Sequence, residues 1–131
     1  WVGAINPRAL ALAGQVGDGW NIPFASPETF RDKLAVVKSN APDPDRLAIG
    51  VNLGLVVAGP AEIDDALAQR FGELATFARP GILAGSTAEI AERVGRYVEV
   101  GADWIVLALR APFDLEMLES FAAEVVPQFT S

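Results

Sequence analysis

Residues Leu47-Ala48-Ile49-Gly50-Val51-Asn52-Leu53-Gly54-Leu55-Val56-Val57 form a β-branched run that is apolar at odd and even positions alike. A strand with two apolar faces has to be covered on both, which is the habit of a parallel sheet lined with helices. Gly50 and Gly54 within it predict close approach of another group or a bulge. Asn52 in the same run needs a hydrogen-bond partner, from the protein or from a ligand. Extended to Gly59, the run still falls short of the roughly 20 residues of a membrane span.

The flanking sequence supplies the helices. Ser26-Pro27-Glu28 opens one, with Phe30, Leu34 and Val37 on a single face, and it ends near Asn40 before Pro42 and Pro44. After Gly59-Pro60, the residues Ile63, Leu67, Phe71 and Leu74 recur at helical spacing, with an acidic outer face. Arg79-Pro80-Gly81 breaks that helix, and Ile82–Gly85 is a short extended piece. Ser86-Thr87-Ala88-Glu89 fits a capping box, with Ile90, Val94 and Tyr97 inward and Gly101 as the stop. Trp104–Leu109 is a second fully apolar strand, and Asp114 opens a last helix with Leu115, Leu118, Ala122 and Val125 inward. The four main strands fall at Trp1–Ala4, Gly19–Ile22, Leu47–Val57 and Trp104–Leu109. Strands alternating with helices predict an α/β layer of parallel strands joined by right-handed crossovers.

The first strand leads into the clearest candidate site. Asn6 is a good N-cap and Pro7 suits the first helical position, so backbone N–H groups of a helix N-terminus face what lies beyond the strand. Gly3, Ala4, Ile5 and Asn6 are therefore either the cradle of a phosphate or plain helix capping. The same two readings apply to Gly85 and Ser86, where the capping box accounts for the serine without a ligand. Asp18 between glycines reads as a ligand contact or as turn chemistry. Trp20 and Trp104 either pack or stack on a flat ligand. Asp64, Asp65, Glu89, Glu92 and Glu99 lie on helix surfaces as solvating charges.

Composition narrows the chemistry. The chain of 131 residues is long enough for one domain, residues 1–131. Ten basic residues face seventeen acidic ones, and the net charge of −7 argues against a nucleic acid or an anionic membrane as partner. With no cysteine, disulfides and thiolate chemistry are excluded. With no histidine, the usual neutral-pH base is missing too, so a site must use carboxylates, Arg, Lys, Tyr97 or a bound cofactor. No signal peptide is evident, and a cytoplasmic location is expected. The opening Trp sits inside a strand rather than behind a Met and a polar leader, which suggests that something has been removed upstream.

Val2-Gly3-Ala4, Pro7-Arg8-Ala9-Leu10, Ala13-Gly14 and Asp18-Gly19-Trp20-Asn21 together resemble the C-terminal half of the luciferase-like monooxygenases, which use flavin or deazaflavin. Ala84 to Arg93 is similar to that family's helix start, and Gly101–Leu107 with Phe121–Pro127 to its closing strand and helix. The resemblance implies the C-terminal half of a (β/α)8 TIM barrel, whose whole needs about 250 residues. It implies reduced flavin mononucleotide or a deazaflavin coenzyme in the complete enzyme, and an oxidoreductase activity. The family's catalytic residues lie largely in the N-terminal half, so this chain is expected to hold none and to be inactive alone. Arg110 stands where a barrel places its chemistry, at the end of a strand, and is read as a cofactor contact beside Gly3–Asn6, Gly85 and Ser86, or as a surface ion pair.

Two further readings compete: a non-catalytic scaffold without cofactor, and a phosphate-binding barrel piece of another metabolic enzyme. An open half-barrel exposes its edge strands and wets its inner face. The partner is then the missing N-terminal half or a second copy of the chain, and a homo-oligomer is expected.

Overall fold

The computed structural model describes residues 1–130, and the strands are all parallel. In chain order the elements are β1 (Val2–Gly3), α1 (Pro7–Val16), β2 (Gly19–Pro23), α2 (Pro27–Ser39) and β3 (Ala48–Val57). There follow α3 (Ile63–Phe71), α4 (Ala75–Ala78), β4 (Ile82–Gly85), α5 (Thr87–Val100), β5 (Trp104–Leu107) and α6 (Leu115–Glu124). The sheet runs β1-β2-β3-β5, with β2 paired to β3 from Gly19↔Ala48 to Pro23↔Asn52 and β5 paired from Gly50↔Trp104 to Leu53↔Leu107. β4 pairs with the last part of β3, from Gly54↔Ile82 to Val57↔Gly85. It starts where β2 ends, because Gly81, lacking a Cβ, lies against the backbone of Phe24.

Alternation along β3 explains how its two faces are filled. Ile49, Val51, Leu53 and Leu55 point to the helical layer, where they meet Leu10, Phe30, Leu34, Val37, Ile90, Val94 and Tyr97 in the main core. Trp20 on β2 belongs to the same core, fully buried, stacked on Phe30 at 5.6 Å and 5°. The expectation that it packs is met. Tyr97 is also fully buried and donates its hydroxyl to the Ala25 carbonyl at 2.7 Å. Burial pushes that phenol up to about 12, so it is a structural group and not an acid or base.

On the other face, Gly54 and Val56 meet Phe71, Ile82 and Leu67 in a second, smaller cluster under α3 and α4. The N-terminal part of that face is open. Gly19 and Gly50 receive the ring of Trp1, whose edge meets Trp104 at 6.1 Å and 79°. Asn21 donates from Nδ2 to Oδ1 of Asn52 at 3.2 Å, so Asn52 finds a structural partner.

Three expectations need correction. β5 is not apolar-covered on both faces: Trp104 is 57% and Val106 42% exposed, because none of the described residues covers that end of the concave face. The third helix stops at Phe71 and not beyond Leu74, since Gly72 adopts φ +53° and turns Leu74 outward. On α6 the buried stripe is Met117, Leu118, Phe121 and Val125, while Leu115 and Ala122 are exposed. The helix has rotated by about a residue relative to the expected face.

Candidate site at the carboxyl ends of the strands

Each candidate segment follows a different strand. The β1–α1 turn leads out of the first edge, Gly85 ends β4 with Ser86 just after it, beside the end of β3, and Arg110 follows β5 at the opposite edge. Three inter-strand steps separate the two edges, about 14 Å along the sheet. The sheet therefore does not bring the three segments onto one small group.

The β1–α1 turn is held in place by four hydrogen bonds. Ala4 N–H donates to Asn21 O at 3.3 Å, and the Ala4 carbonyl accepts the indole N–H of Trp20 at 3.0 Å. Asn6 Oδ1 accepts from Ala9 N at 2.9 Å, which is the expected N-cap, and Pro7 takes the first helical position. Lys33 on α2 donates Nζ to the Ile5 carbonyl at 2.8 Å. Among the described residues none takes up the backbone N–H of Ile5 or Asn6. Gly3 faces Asn21 Oδ1, which would sit 3.4 Å from a Cβ placed there. A lean turn, two free N–H donors, a helix N-terminus and a lysine within reach together suit a phosphate.

Ser86 is more fully engaged. Its Oγ accepts from Glu89 N at 3.2 Å while its own N–H donates to Glu89 Oε2 at 2.8 Å, so both arms of the capping box form. Gly85, at φ +122°, leaves room for that carboxylate. An anion coming to Ser86 meets Glu89 first.

Arg110 is exposed and has no ion-pair partner among the described residues. It lines a cleft of about 310 Å³ with Gln69, Arg70, Pro112, Phe113 and Asp114. Arg70 pairs there with Asp114 at 3.2 Å. Asp114 also accepts the Met117 backbone N–H at 3.0 Å, and this bond, helped by Arg70, holds its carboxyl below the ordinary aspartate value. The cleft thus carries one free and one paired guanidinium.

Lys33 and Arg70 were not legible as site residues. Lys33 reaches a residue 28 positions away and Arg70 one 44 positions away. The only local signal was that Arg70 sits beside Phe71 at the border of the buried stripe of α3. Several other polar residues have structural partners. Asp64 pairs with Arg79 and Glu92 with Arg96, Asp18 is exposed and uses its backbone carbonyl to hold Ala48 N–H, and Asp103 accepts from Ile49 N at 2.9 Å. No cluster of metal-binding side chains occurs among the described residues.

Solved structures place this arrangement among known folds. The coenzyme F420 dependent tetrahydromethanopterin reductase from Methanopyrus kandleri aligns over 98% of this chain and 50% of its own, at TM-score 0.74 and 15% identity. The fold is half of a TIM barrel. An F420-dependent secondary alcohol dehydrogenase in complex with an F420-acetone adduct aligns over 98% of this half-barrel and 48% of its own chain, at TM-score 0.75 and 19% identity. The oxygenating constituent of 3,6-diketocamphane monooxygenase from a Pseudomonas putida plasmid, in complex with FMN, aligns over 98% and 48%, at TM-score 0.70 and 14% identity. The structural neighbours are thus F420-dependent reductases and flavin monooxygenases of the luciferase-like superfamily, and the half-barrel spans about half their length. No family model and no curated protein sequence matches the chain. No helix among the described residues is long and apolar enough to cross a membrane.

Proposed function

We propose that this chain is the C-terminal portion of a flavin- or deazaflavin-dependent oxidoreductase of the luciferase-like kind, a single domain over residues 1–131 that works in the cytoplasm. It contributes barrel wall and the contacts to the cofactor's phosphate side, and it is inactive by itself. The observation that carries the reading is the free β1–α1 turn: two unpaired N–H groups and Lys33 at the carboxyl end of a strand in a fold shared with F420 and FMN proteins. Gly3, Ala4, Ile5 and Asn6 hold the phosphate, with Gly85 and Ser86 bordering the cofactor. Arg110, at the far edge, takes a second anionic group of an extended ligand. The cofactor, when bound, supplies hydride or oxygen chemistry, and this chain binds and orients it. The facing half of the barrel comes from a partner.

Titration of the chain with flavin mononucleotide and with reduced deazaflavin, followed by absorbance or fluorescence, tests this. Saturable binding that weakens on Lys33→Met and on Arg110→Ala supports it. Absence of saturable binding to either cofactor refutes a cofactor site held by this chain alone. That result would leave the second reading, a cofactor-free scaffold, which is favoured by the capping box that already occupies Ser86.

A further inference from the structure

The open half of the sheet presents two free edges and an uncovered apolar face. Among the described residues β1 pairs only with β2, and β5 only with β3. On the concave face, Trp1 is 58% exposed, next to the exposed Trp104 and Val106. The total accessible surface is 7585 Å². A compact monomer of 13.8 kDa exposes about 6,600 Å². The excess, on the order of 1,000 Å², compares with the ~800 Å² that each partner covers in a stable interface.

The end helices point to what covers it. Gly14 on α1 touches α2, and Leu12 and Val16 lie on the flank of α1 turned away from α2, both exposed. On α6, Glu124 accepts a hydrogen bond from Thr87 of α5, and the exposed Leu115 and Ala122 lie on the flank turned away from α5. The outer flank of each end helix thus exposes two apolar side chains, with α1 resting on β2 and α6 on β3, one strand in from each free edge.

We propose that the 131-residue chain, by itself in solution, closes on a second copy through a two-fold axis running along the strands. This rests on the half-barrel reading above and not on cofactor binding. The rotation keeps every strand direction, so β1 of one protomer lies parallel to β5 of its partner, and the second seam repeats the first. Four strands from each copy make eight, the number at which a barrel closes with side chains filling its interior. In each copy Trp1 lies over Gly19 and Gly50 and meets Trp104 edge to face, which supplies a large-against-small filling of one interior layer. At each seam Leu12 and Val16 of one copy meet Leu115 and Ala122 of the other.

Size-exclusion chromatography with light scattering, run over a dilution series, measures the assembly. A species of twice the chain mass is expected, with tryptophan emission shifting to the red on dilution as Trp1 and Trp104 become wet. Val16→Glu and Leu115→Glu change exposed side chains and leave the circular dichroism of the folded chain intact, while the dimer weakens by at least about tenfold. A folded monomer at every soluble concentration overturns the proposal, as does a trimer or an open polymer. A dimer indifferent to both glutamates overturns it as well. Because the flavin titration is read separately, loss of cofactor binding with the dimer intact removes only the functional reading.

Discussion

Two helical glycines with opposite expected behaviour give the sharpest check on the packing that holds the β1–α1 turn. A Cβ built at Gly14 would lie 2.2 Å from the Val37 carbonyl oxygen and 3.1 Å from Asn40 Cβ. Ordinary carbon contacts need about 3.5 Å, so α1 and α2 would have to separate by about 1 Å, and the partner at fault is backbone and cannot rotate aside. Overpacking of this kind costs roughly 1–3 kcal/mol. Against it stands the gain of about 0.5–1 kcal/mol for replacing a helical glycine by alanine. The difference spans about 0–2.5 kcal/mol, and because the 2.2 Å contact is with backbone, Gly14→Ala should fall in the upper, destabilising part of that range. At Gly95 on α5 the nearest atoms to a new Cβ are ring carbons of Phe129 at 3.8 and 3.9 Å, ordinary contact. Gly95→Ala should stabilise by about 0.5–1 kcal/mol. Urea titrations of both variants at one protein concentration, so that association enters equally, read this as opposite shifts in midpoint at constant slope. A neutral or stabilising Gly14→Ala, or two variants moving the same way, refutes the reasoning.

Other substitutions address single contacts. Tyr97→Phe leaves the Ala25 carbonyl without its buried donor and should cost about 1–2 kcal/mol in the same titration. Burial raises the folded-state phenol from 10.0 to about 12, so below pH 10 its contribution is complete. Between those values the unfolded chain ionises first, and stability falls as pH rises, a fall that should vanish in Tyr97→Phe and can be followed by tyrosinate absorbance. Ser86→Ala removes one arm of the capping box and should cost about 1 kcal/mol of thermal stability, read by calorimetry. Asp114, held below its ordinary value first by the Met117 N–H, contributes stability that is complete above the unfolded-state value and lost as pH falls through the folded one. Asp114→Asn should flatten the acid limb by lowering stability at neutral pH, while leaving stability below the folded-state value little changed.

The convex side of this fold could be read from the sequence because its rules are local. Ser26, Ser86 and Asn6 cap the helices they announce, and Phe30, Leu34, Val37, Ile90, Val94 and Tyr97 all reach the core. The concave side depends on what lies opposite. A run such as Trp104–Leu107 has the same composition whether one face or two is covered, and only the sheet order shows that Trp104 and Val106 have nothing above them. The same holds for α6, where Leu115 and Ala122 belong to an apolar stripe wider than this half-barrel can bury. Sequence periodicity placed Leu118 and Val125 correctly against the core and wrongly extended that face to Leu115 and Ala122. For the site, local capping chemistry located Asn6 and Ser86, but the lysine and the arginine that supply charge come from helices far along the chain.

The positions of the charges also bear on what kind of ligand the strand ends can hold. Gly3–Asn6 and Arg110 lie at opposite edges of a four-strand path, about 14 Å apart along the sheet. A small anion can occupy one of them and not both. Engaging both requires a ligand with anionic groups at separated points, lying across the carboxyl ends of β2 and β3. Between the two edges the concave face offers amide side chains, Asn21 and Asn52, whose hydrogen bond crosses from β2 to β3. An extended cofactor with a phosphate at one end meets that requirement, and inorganic phosphate does not. Free phosphate should therefore compete with the cofactor only weakly and only through the β1–α1 turn. The competition should be relieved in Lys33→Met and unaffected in Arg110→Ala, and the reverse pattern would place the phosphate at the wrong edge.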